Sequence, residues 1–176
     1  MKRARFLSVS AVAVAMLFAV SCGEPGPLAP TSSTTTPQTD LVGTLLQGTG
    51  LLSCSALPYD SVTQAIGPAG GTLQVGPHVL VVPPGALSSS VSITAVAPSG
   101  NVRLVKFRPE GLQFARSAAL TMSYANCSLL ATLLPKRIAY TNDALQILEY
   151  LLSLDNVFAK KVTGQVNHFS GYAVAY

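Results

Sequence analysis

The chain has 176 residues, which suffices for one domain with extensions, and 49% of them are apolar while only 10% are charged. Its net charge of +4 is concentrated at the start: without Lys2, Arg3 and Arg5, eight basic residues stand against seven acidic ones, a balance of about +1. This near-neutral remainder, whose basic residues are scattered, argues against a nucleic-acid partner.

The N-terminus has the layout of a secretory signal. The basic start is followed by fifteen uncharged residues, Phe6 to Val20, and then by "SCGEPGP". Fifteen residues fall short of the roughly 20 that a membrane-spanning helix needs. We therefore predict a signal peptide over residues 1–21 and export of the remaining chain.

The end of this signal, "FAVSC", resembles the bacterial lipobox. Ala19 and Ser21 are small residues that suit the signal peptidase, and the sulfur of Cys22 would take a diacylglycerol. Together with an N-acyl chain, this lipid buries more than one hydrocarbon chain, which makes anchoring stable. The alternative is ordinary cleavage at small residues, with a cysteine there by chance. The lipobox interpretation predicts a lipoprotein of the bacterial envelope, and Gly23 favours the outer membrane, on its periplasmic or surface face.

Residues 22–50 are predicted to form a disordered, lipid-anchored linker. Between Gly23 and Thr39, thirteen of seventeen positions are Pro, Gly, Ser or Thr, a composition that cannot bury a core. At ~3.1 Å per residue, the stretch reaches up to roughly 50 Å when extended. The linker is thus expected to hold the following domain away from the lipid surface.

The other two cysteines, Cys54 and Cys127, are an even number in an exported protein, which favours a disulfide between them. The alternative is a pair of buried free thiols. The chain has no CxxC motif, and its only histidines are His78 and His168. We therefore predict no metal site and no other cofactor.

From Leu51 onwards, short β-type runs are separated by Gly and Pro at intervals of about ten residues. This pattern predicts that residues 51–176 form an all-β domain, an antiparallel β-sandwich. "GPAGGT" predicts a hairpin turn, and Pro83-Pro84 ends the strand in "HVLVVPPGAL" because proline cannot donate to a ladder. Alternation predicts the buried faces of two strands, with Val91, Ile93 and Ala95 on the first and Leu120, Met122 and Tyr124 on the second.

Two stretches of the sequence are compatible with either a helix or a strand. In "ALQILEYLLSL", Leu145, Leu148, Leu151 and Leu152 fit one helix face, but the β context favours a strand near Ala144 to Leu148 and then a loop. "SLLATLLP", after Cys127, is compatible with one helical turn.

Three segments, in order, resemble the ZU-five domain, a β-sandwich named after zona-occludens and uncoordinated-five proteins. They are "IGPAGGTLQVGPHVLVVPPGALSSSVSITAVAP", "FRPEGLQFARSAALTMSY", and a closing part that ends in His-Phe-Ser, together about Ile66 to Tyr176. Arg108 stands where the family often has Gly. The resemblance implies a binding or structural module that interacts with an envelope protein or surface ligand and does not catalyse reactions on external substrates.

The resemblance also implies a second role for "NHFSGYAVAY". In self-cleaving members of the family, the Phe–Ser bond is broken by an N→O acyl shift, so Ser170 would be the nucleophile and His168 the base at the Phe169–Ser170 bond. Such attack on the preceding carbonyl needs a strained backbone.

The residues themselves favour a structural role for this segment. In an extended strand, His168, Ser170 and Tyr172 share one face while Phe169 and Gly171 share the other. Both faces are largely apolar, which predicts one central core strand. Cleavage would release only seven residues, so we expect none. An envelope hydrolase is expected least, because GxSxG and HExxH are absent from the sequence.

Overall fold

The computed structural model describes residues 50–127 and 134–176, and these ranges contain thirteen β-strands. The predicted signal peptide, Cys22, the linker up to residue 49 and residues 128–133 of "SLLATLLP" lie outside them. The strands are β1 Ser53–Leu57, β2 Asp60–Ile66, β3 Gly71–Val75, β4 His78–Val82, β5 Val91–Ala97, β6 Gly100–Val102, β7 Leu104–Arg108, β8 Gln113–Ser123, β9 Arg137–Thr141, β10 Ile147–Tyr150, β11 Ser153–Asn156, β12 Lys161–His168 and β13 Gly171–Ala175.

The strands form two large antiparallel sheets in a sandwich-like arrangement. The six-stranded sheet has the order β10-β9-β13-β7-β5-β2, the five-stranded sheet has the order β11-β12-β8-β4-β3, and β1 pairs with β6 separately. Their apolar side chains, among them Leu80, Ile93 and Val166, form one buried cluster. The predicted antiparallel β-sandwich is confirmed.

The alternating runs behave as their pattern predicts. In β5, Ile93 and Ala95 are fully buried while Ser92 is exposed. In β8, Leu120 and Met122 are fully buried and Thr121 between them is not. Successive side chains of a strand point to opposite faces, so one face of each strand enters the core.

The "GPAGGT" turn connects the two sheets, so its prediction as a hairpin is wrong. β2 pairs with β5 and β3 pairs with β4, and the hairpin is therefore the next turn, between β3 and β4. The Gly70 N–H donates to the Gly67 carbonyl at 2.9 Å, and Gly70 has a φ of +77°. A Cβ at Gly70 would lie 2.4 Å from the Val82 carbonyl oxygen, so this corner requires glycine.

The "ALQILEYLLSL" stretch forms a strand, as the β context favours, and not a helix. Its strand β10 begins at Ile147, three residues later than the predicted start, and a second strand, β11, follows where a loop was expected. A tight turn precedes β10. The Asn142 side-chain oxygen accepts the Gln146 N–H at 2.9 Å, and the Leu145 N–H donates to the Asn142 carbonyl at 3.0 Å. This turn holds Leu145 at a φ of +59°, which a helix or a strand cannot include.

The disulfide prediction is confirmed. Cys54 in β1 is bonded to Cys127, which lies 73 positions further along the chain and just beyond β8. The Ser55 N–H also donates to the Asn126 carbonyl at 2.8 Å. The bridge therefore fastens the separate β1–β6 ladder to the end of the longest strand.

Two polar side chains, His78 and Arg103, are buried in the sandwich, and the charge of Arg103 affects the pKa of His78. The Ser123 N–H donates to Nδ1 of His78 at 3.2 Å, and Nη2 of Arg103 donates to the Ser55 carbonyl at 2.8 Å. Burial, with a smaller contribution from the Arg103 charge, lowers the pKa of His78 to about 4. His78 is therefore a neutral hydrogen-bond acceptor at neutral pH.

Candidate functional site

The His168-Phe169-Ser170 segment is the crossing point between the two sheets. β12 ends at His168 in the five-stranded sheet, and β13 begins at Gly171 in the six-stranded sheet. The Phe169 N–H donates to the Leu112 carbonyl at 2.8 Å, and its carbonyl accepts the Gly111 N–H at 2.9 Å. The prediction of one continuous central strand is therefore wrong, because these bonds turn the chain out of one sheet and into the other.

Phe169 fills the core at this crossing. Its side chain is fully buried. Its ring is stacked on that of Phe107, with centroids 5.0 Å apart, and meets the ring of Phe114 edge-on, also at 5.0 Å. Aromatic pairs favour both arrangements. The middle residue of the segment thus contributes to packing.

The imidazole of His168 lies in an aromatic cluster. The ring is half-buried and meets the Tyr140 ring edge-on, with centroids 5.1 Å apart. It also lies 6.2 Å from the Tyr172 ring, and the Tyr172 hydroxyl donates to the His168 carbonyl. Burial is the main cause that raises the pKa of Tyr172, so this hydroxyl keeps its proton and remains a donor.

The Ser170 side chain lies in a different environment. It is 7% exposed and lines a cavity of about 180 Å³ together with Lys106 and Thr141, whereas His168 lines a separate depression beside Glu149. Among the described residues, no hydrogen bond joins the His168 ring to the Ser170 hydroxyl. The structure thus does not pair the two side chains as a base and a nucleophile.

The backbone at Phe169–Ser170 bends without left-handed strain. In the described ranges, the non-glycine residues with a positive φ are Leu145 and Lys160. Neither Phe169 nor Ser170 has a positive φ, and the bond between them is not cis. These two forms of backbone strain are therefore not present at the bond that an acyl shift would break.

The three segments that carry the ZU-five resemblance are in contact. Gly111 and Leu112 of the second segment bond to Phe169 of the third. The Ala115 N–H of the second segment donates to the Ala86 carbonyl of the first at 2.9 Å, and Arg116 donates to the Pro84 carbonyl at 3.3 Å. The segments, which supply most strands of both sheets, are therefore packed together in the sandwich.

A row of exposed apolar side chains follows the outer strands β10 and β11. We call it the apolar edge; it comprises Leu148, Tyr150, Leu152, Leu154, Val157 and Phe158. Leu152 is 82% exposed, Leu154 is 79% exposed, and Phe158 at the tip of the β11–β12 turn is 98% exposed. The sequence contains a signal for this row, namely alternate apolar residues from 148 to 154, but a strand near Ala144 to Leu148 followed by a loop does not predict it.

The fold defines the chain as an antiparallel β-sandwich protein. No protein-family model matches the sequence, and a search of curated proteins finds no significant match either. Residues 50–127 and 134–176 contain no helix that is long and apolar enough to cross a membrane. In the same ranges, no three His, Cys, Asp or Glu side chains converge as metal ligands would.

Proposed function

We propose that this protein is a lipid-anchored binding module of the bacterial cell envelope. The observation that carries the binding role is the apolar edge, where six large apolar side chains within residues 148–158 are exposed, since exposed apolar patches mark interaction sites. Strands β10 and β11 lie at the ends of their sheets, so a partner can approach them without displacing any other described strand.

The anchor proposal depends on the N-terminal sequence. The basic start, the apolar run and Cys22 are in register for lipid attachment, and the linker that follows is long enough to lift the sandwich off the lipid. We place the protein at the outer membrane, on its periplasmic or surface face. The anchor would supply the membrane contact and leave the sandwich surface available for a partner.

We propose that the partner is an envelope protein with an apolar surface. Leu152 lies just before β11 and Leu154 lies within it. Charged residues of both signs, Glu149, Lys160 and Lys161, flank them in the sequence. An apolar centre with a mixed polar rim is the composition of a protein interface. An anionic lipid surface would favour a rim of cations alone.

ZU-five family membership is part of this proposal. It rests on the three resembling segments of the sequence and on the antiparallel β-sandwich that they help to form. The alternative function, self-cleavage at Phe169–Ser170, is less well supported. The separation of His168 from Ser170 and the unstrained bend both disfavour the acyl shift.

Site-specific photo-crosslinking in intact cells tests the binding role. A photoreactive residue in place of Leu154 is expected to give an adduct of discrete mass with one envelope protein, and Leu152→Glu should abolish it. Because Leu152 is largely exposed, this substitution is expected to change the free energy of unfolding by no more than about 0.5 kcal/mol.

The matched control places the same photoreactive residue at Gln74, an exposed position on β3 at the far end of the same sheet. This position should give no such adduct. Adducts of equal yield from both positions would contradict a specific interface. Adducts with lipid alone from position 154 would show that the apolar edge contacts the membrane surface and not an envelope protein.

A further inference from the structure

The depression beside Glu149 and His168, which we call the side cleft, opens between the two sheets. One wall is a row of directly paired residues across β10, β9 and β13, namely Glu149, Tyr140 and Tyr172. The opposite wall comes from β12 and includes Gln165 and His168. The volume of about 390 Å³ is on the order of a dozen water molecules, so the side cleft has room for one long side chain.

The side cleft is continuous with the apolar edge. Leu152, which belongs to the apolar edge and is 82% exposed, also lines the cleft. Leu151 lines it as well and is partly buried against the core. These two leucines connect β10 to β11. A partner that covers the apolar edge therefore comes to lie next to the side cleft.

The charge of Glu149 in the side cleft is not balanced by a described residue. Glu149 is the acidic residue of the lining, and no lysine or arginine lines the cleft. Its exposed carboxylate makes no salt bridge within the described ranges. Arg137, on the neighbouring strand β9, lies over the Tyr150 ring. Because side chains alternate along a strand, Arg137 and Tyr150 are on the other face of the sheet from Glu149 and Tyr140.

Neutral hydrogen-bond acceptors of the side cleft are also available. The Tyr172 hydroxyl already donates to the His168 carbonyl. In contrast, the His168 ring, the Tyr140 hydroxyl and the Gln165 side chain make no hydrogen bond with a described residue. The phenol oxygen of Tyr140 and the amide oxygen of Gln165 can each accept a hydrogen bond. The cleft thus offers one carboxylate and at least two neutral acceptors.

We propose that the side cleft receives an arginine side chain of the envelope protein that binds the apolar edge, an inference that rests on the proposed function. The guanidinium would pair with the Glu149 carboxylate and donate to the oxygens of Gln165 and Tyr140, since it carries five N–H donors in one plane. Its methylene stem would pack against Leu151 and Leu152. Arginines are among the residues that contribute most to protein interfaces.

Other occupants fit the side cleft less well. An acidic side chain would be repelled by the Glu149 carboxylate. A lysine ammonium is a compact charge without the planar fork of arginine, so it is less suited to several acceptors spread over two walls. A neutral ligand would leave the carboxylate without an ion partner.

Titration of the detergent-solubilised full chain with Nα-acetylarginine amide, followed by NMR, tests the cleft without the partner. The backbone amide signals of Tyr140, Leu152 and His168 should shift saturably. Nα-acetylcitrulline amide, which has the same shape but no charge, should shift them much less. Glu149→Gln should weaken binding of the arginine probe about fivefold, the upper end of the effect of one exposed ion pair. Glu110→Gln, which changes an exposed acid outside the side cleft, is the matched control and should leave binding unchanged.

Three results of the titration would overturn the arginine site. They are shifts that stay linear with the arginine probe, equal binding of the arginine and citrulline probes, and arginine binding that Glu149→Gln leaves unchanged. Tighter binding of Nα-acetyllysine amide than of the arginine probe would overturn the choice of arginine.

Photo-crosslinking from position 154 connects the side cleft to the partner. Glu149→Gln should lower the yield of the adduct several-fold, whereas Glu110→Gln should not change it. An adduct that forms with equal yield in Glu149→Gln would overturn the inference and leave the binding role standing. No adduct without either substitution would overturn the binding role itself, and the titration alone would then decide whether the cleft recognises a guanidinium.

Discussion

Phe169→Ala should lower the free energy of unfolding by about 3–5 kcal/mol, the usual cost of truncating a buried phenylalanine. The side chain is fully buried between the rings of Phe107 and Phe114 at the crossing of the two sheets. Such a loss is a large fraction of the ~5–15 kcal/mol that stabilises a typical protein. Urea-induced unfolding, compared at a constant m-value, measures it.

The matched control for this substitution is Phe158→Ala. Phe158 is the same residue type at the tip of the β11–β12 turn, where it is almost completely exposed, so its truncation should change the free energy of unfolding by no more than about 0.5 kcal/mol. A loss below about 1 kcal/mol for Phe169→Ala would show that the crossing segment is not part of the core.

The double substitution Cys54→Ala/Cys127→Ala is expected to lower the free energy of unfolding by about 4 kcal/mol. The closed loop of 73 positions restricts the unfolded chain, and the chain-entropy model gives a value of this order for such a loop. In addition, β1 is paired only with the short β6 among the described strands, so the bridge adds to the few hydrogen bonds, such as Leu52 N–H to the Val174 carbonyl, that attach this ladder to the sandwich. Urea unfolding with and without dithiothreitol measures the effect.

Dithiothreitol serves as the internal control, since it should destabilise the wild-type protein by the same amount and leave the double variant unchanged. The disulfide would be contradicted by two free thiols in the unreduced, denatured wild-type protein. It would also be contradicted if the urea midpoint of wild-type unfolding did not change with dithiothreitol. If Cys22 carries lipid on its sulfur, its thiol is blocked, and thiol labelling of the denatured protein counts only Cys54 and Cys127.

The features that could be predicted from the sequence are those that depend on neighbouring residues. The alternation around Ile93 and Leu120 indicated buried faces because side chains of a strand point to opposite sides, and Pro83-Pro84 ended β4 because proline lacks an N–H. The disulfide followed from the even count of cysteines after Cys22. None of these inferences needs knowledge of which strands are neighbours in a sheet.

The crossing at Phe169 could not be predicted because the polar residues beside it fit one alternating strand. His168, Ser170 and Tyr172 stand at alternate positions, as they would on one face of a continuous strand. A finer signal is the apolar pattern: Val162 and Val166 are at even positions, whereas Phe169 is at an odd one. That change of phase marks the point where the strand ends.

The cavity beside Ser170 could not be predicted, because the residues that line it are far apart in the sequence. Lys106, Thr141 and Ser170 become neighbours only through the β7–β13–β9 order of the six-stranded sheet. The unpaired hydroxyl of Thr141 is likewise a property of the packed structure. A threonine in a β-rich sequence carries no such information by itself.

The intact mass of the mature protein, extracted from the envelope, tests most directly whether the chain is an anchored module that remains uncut. We predict one species that begins at Cys22, carries a diacylglycerol and an N-acyl chain, and is uncut at the Phe169–Ser170 bond. In Ser170→Ala, the species should differ only by the mass of one oxygen atom. A wild-type species that lacks the last seven residues, and that disappears in Ser170→Ala, would contradict the structural role of the crossing. A mass without lipid would contradict the anchor.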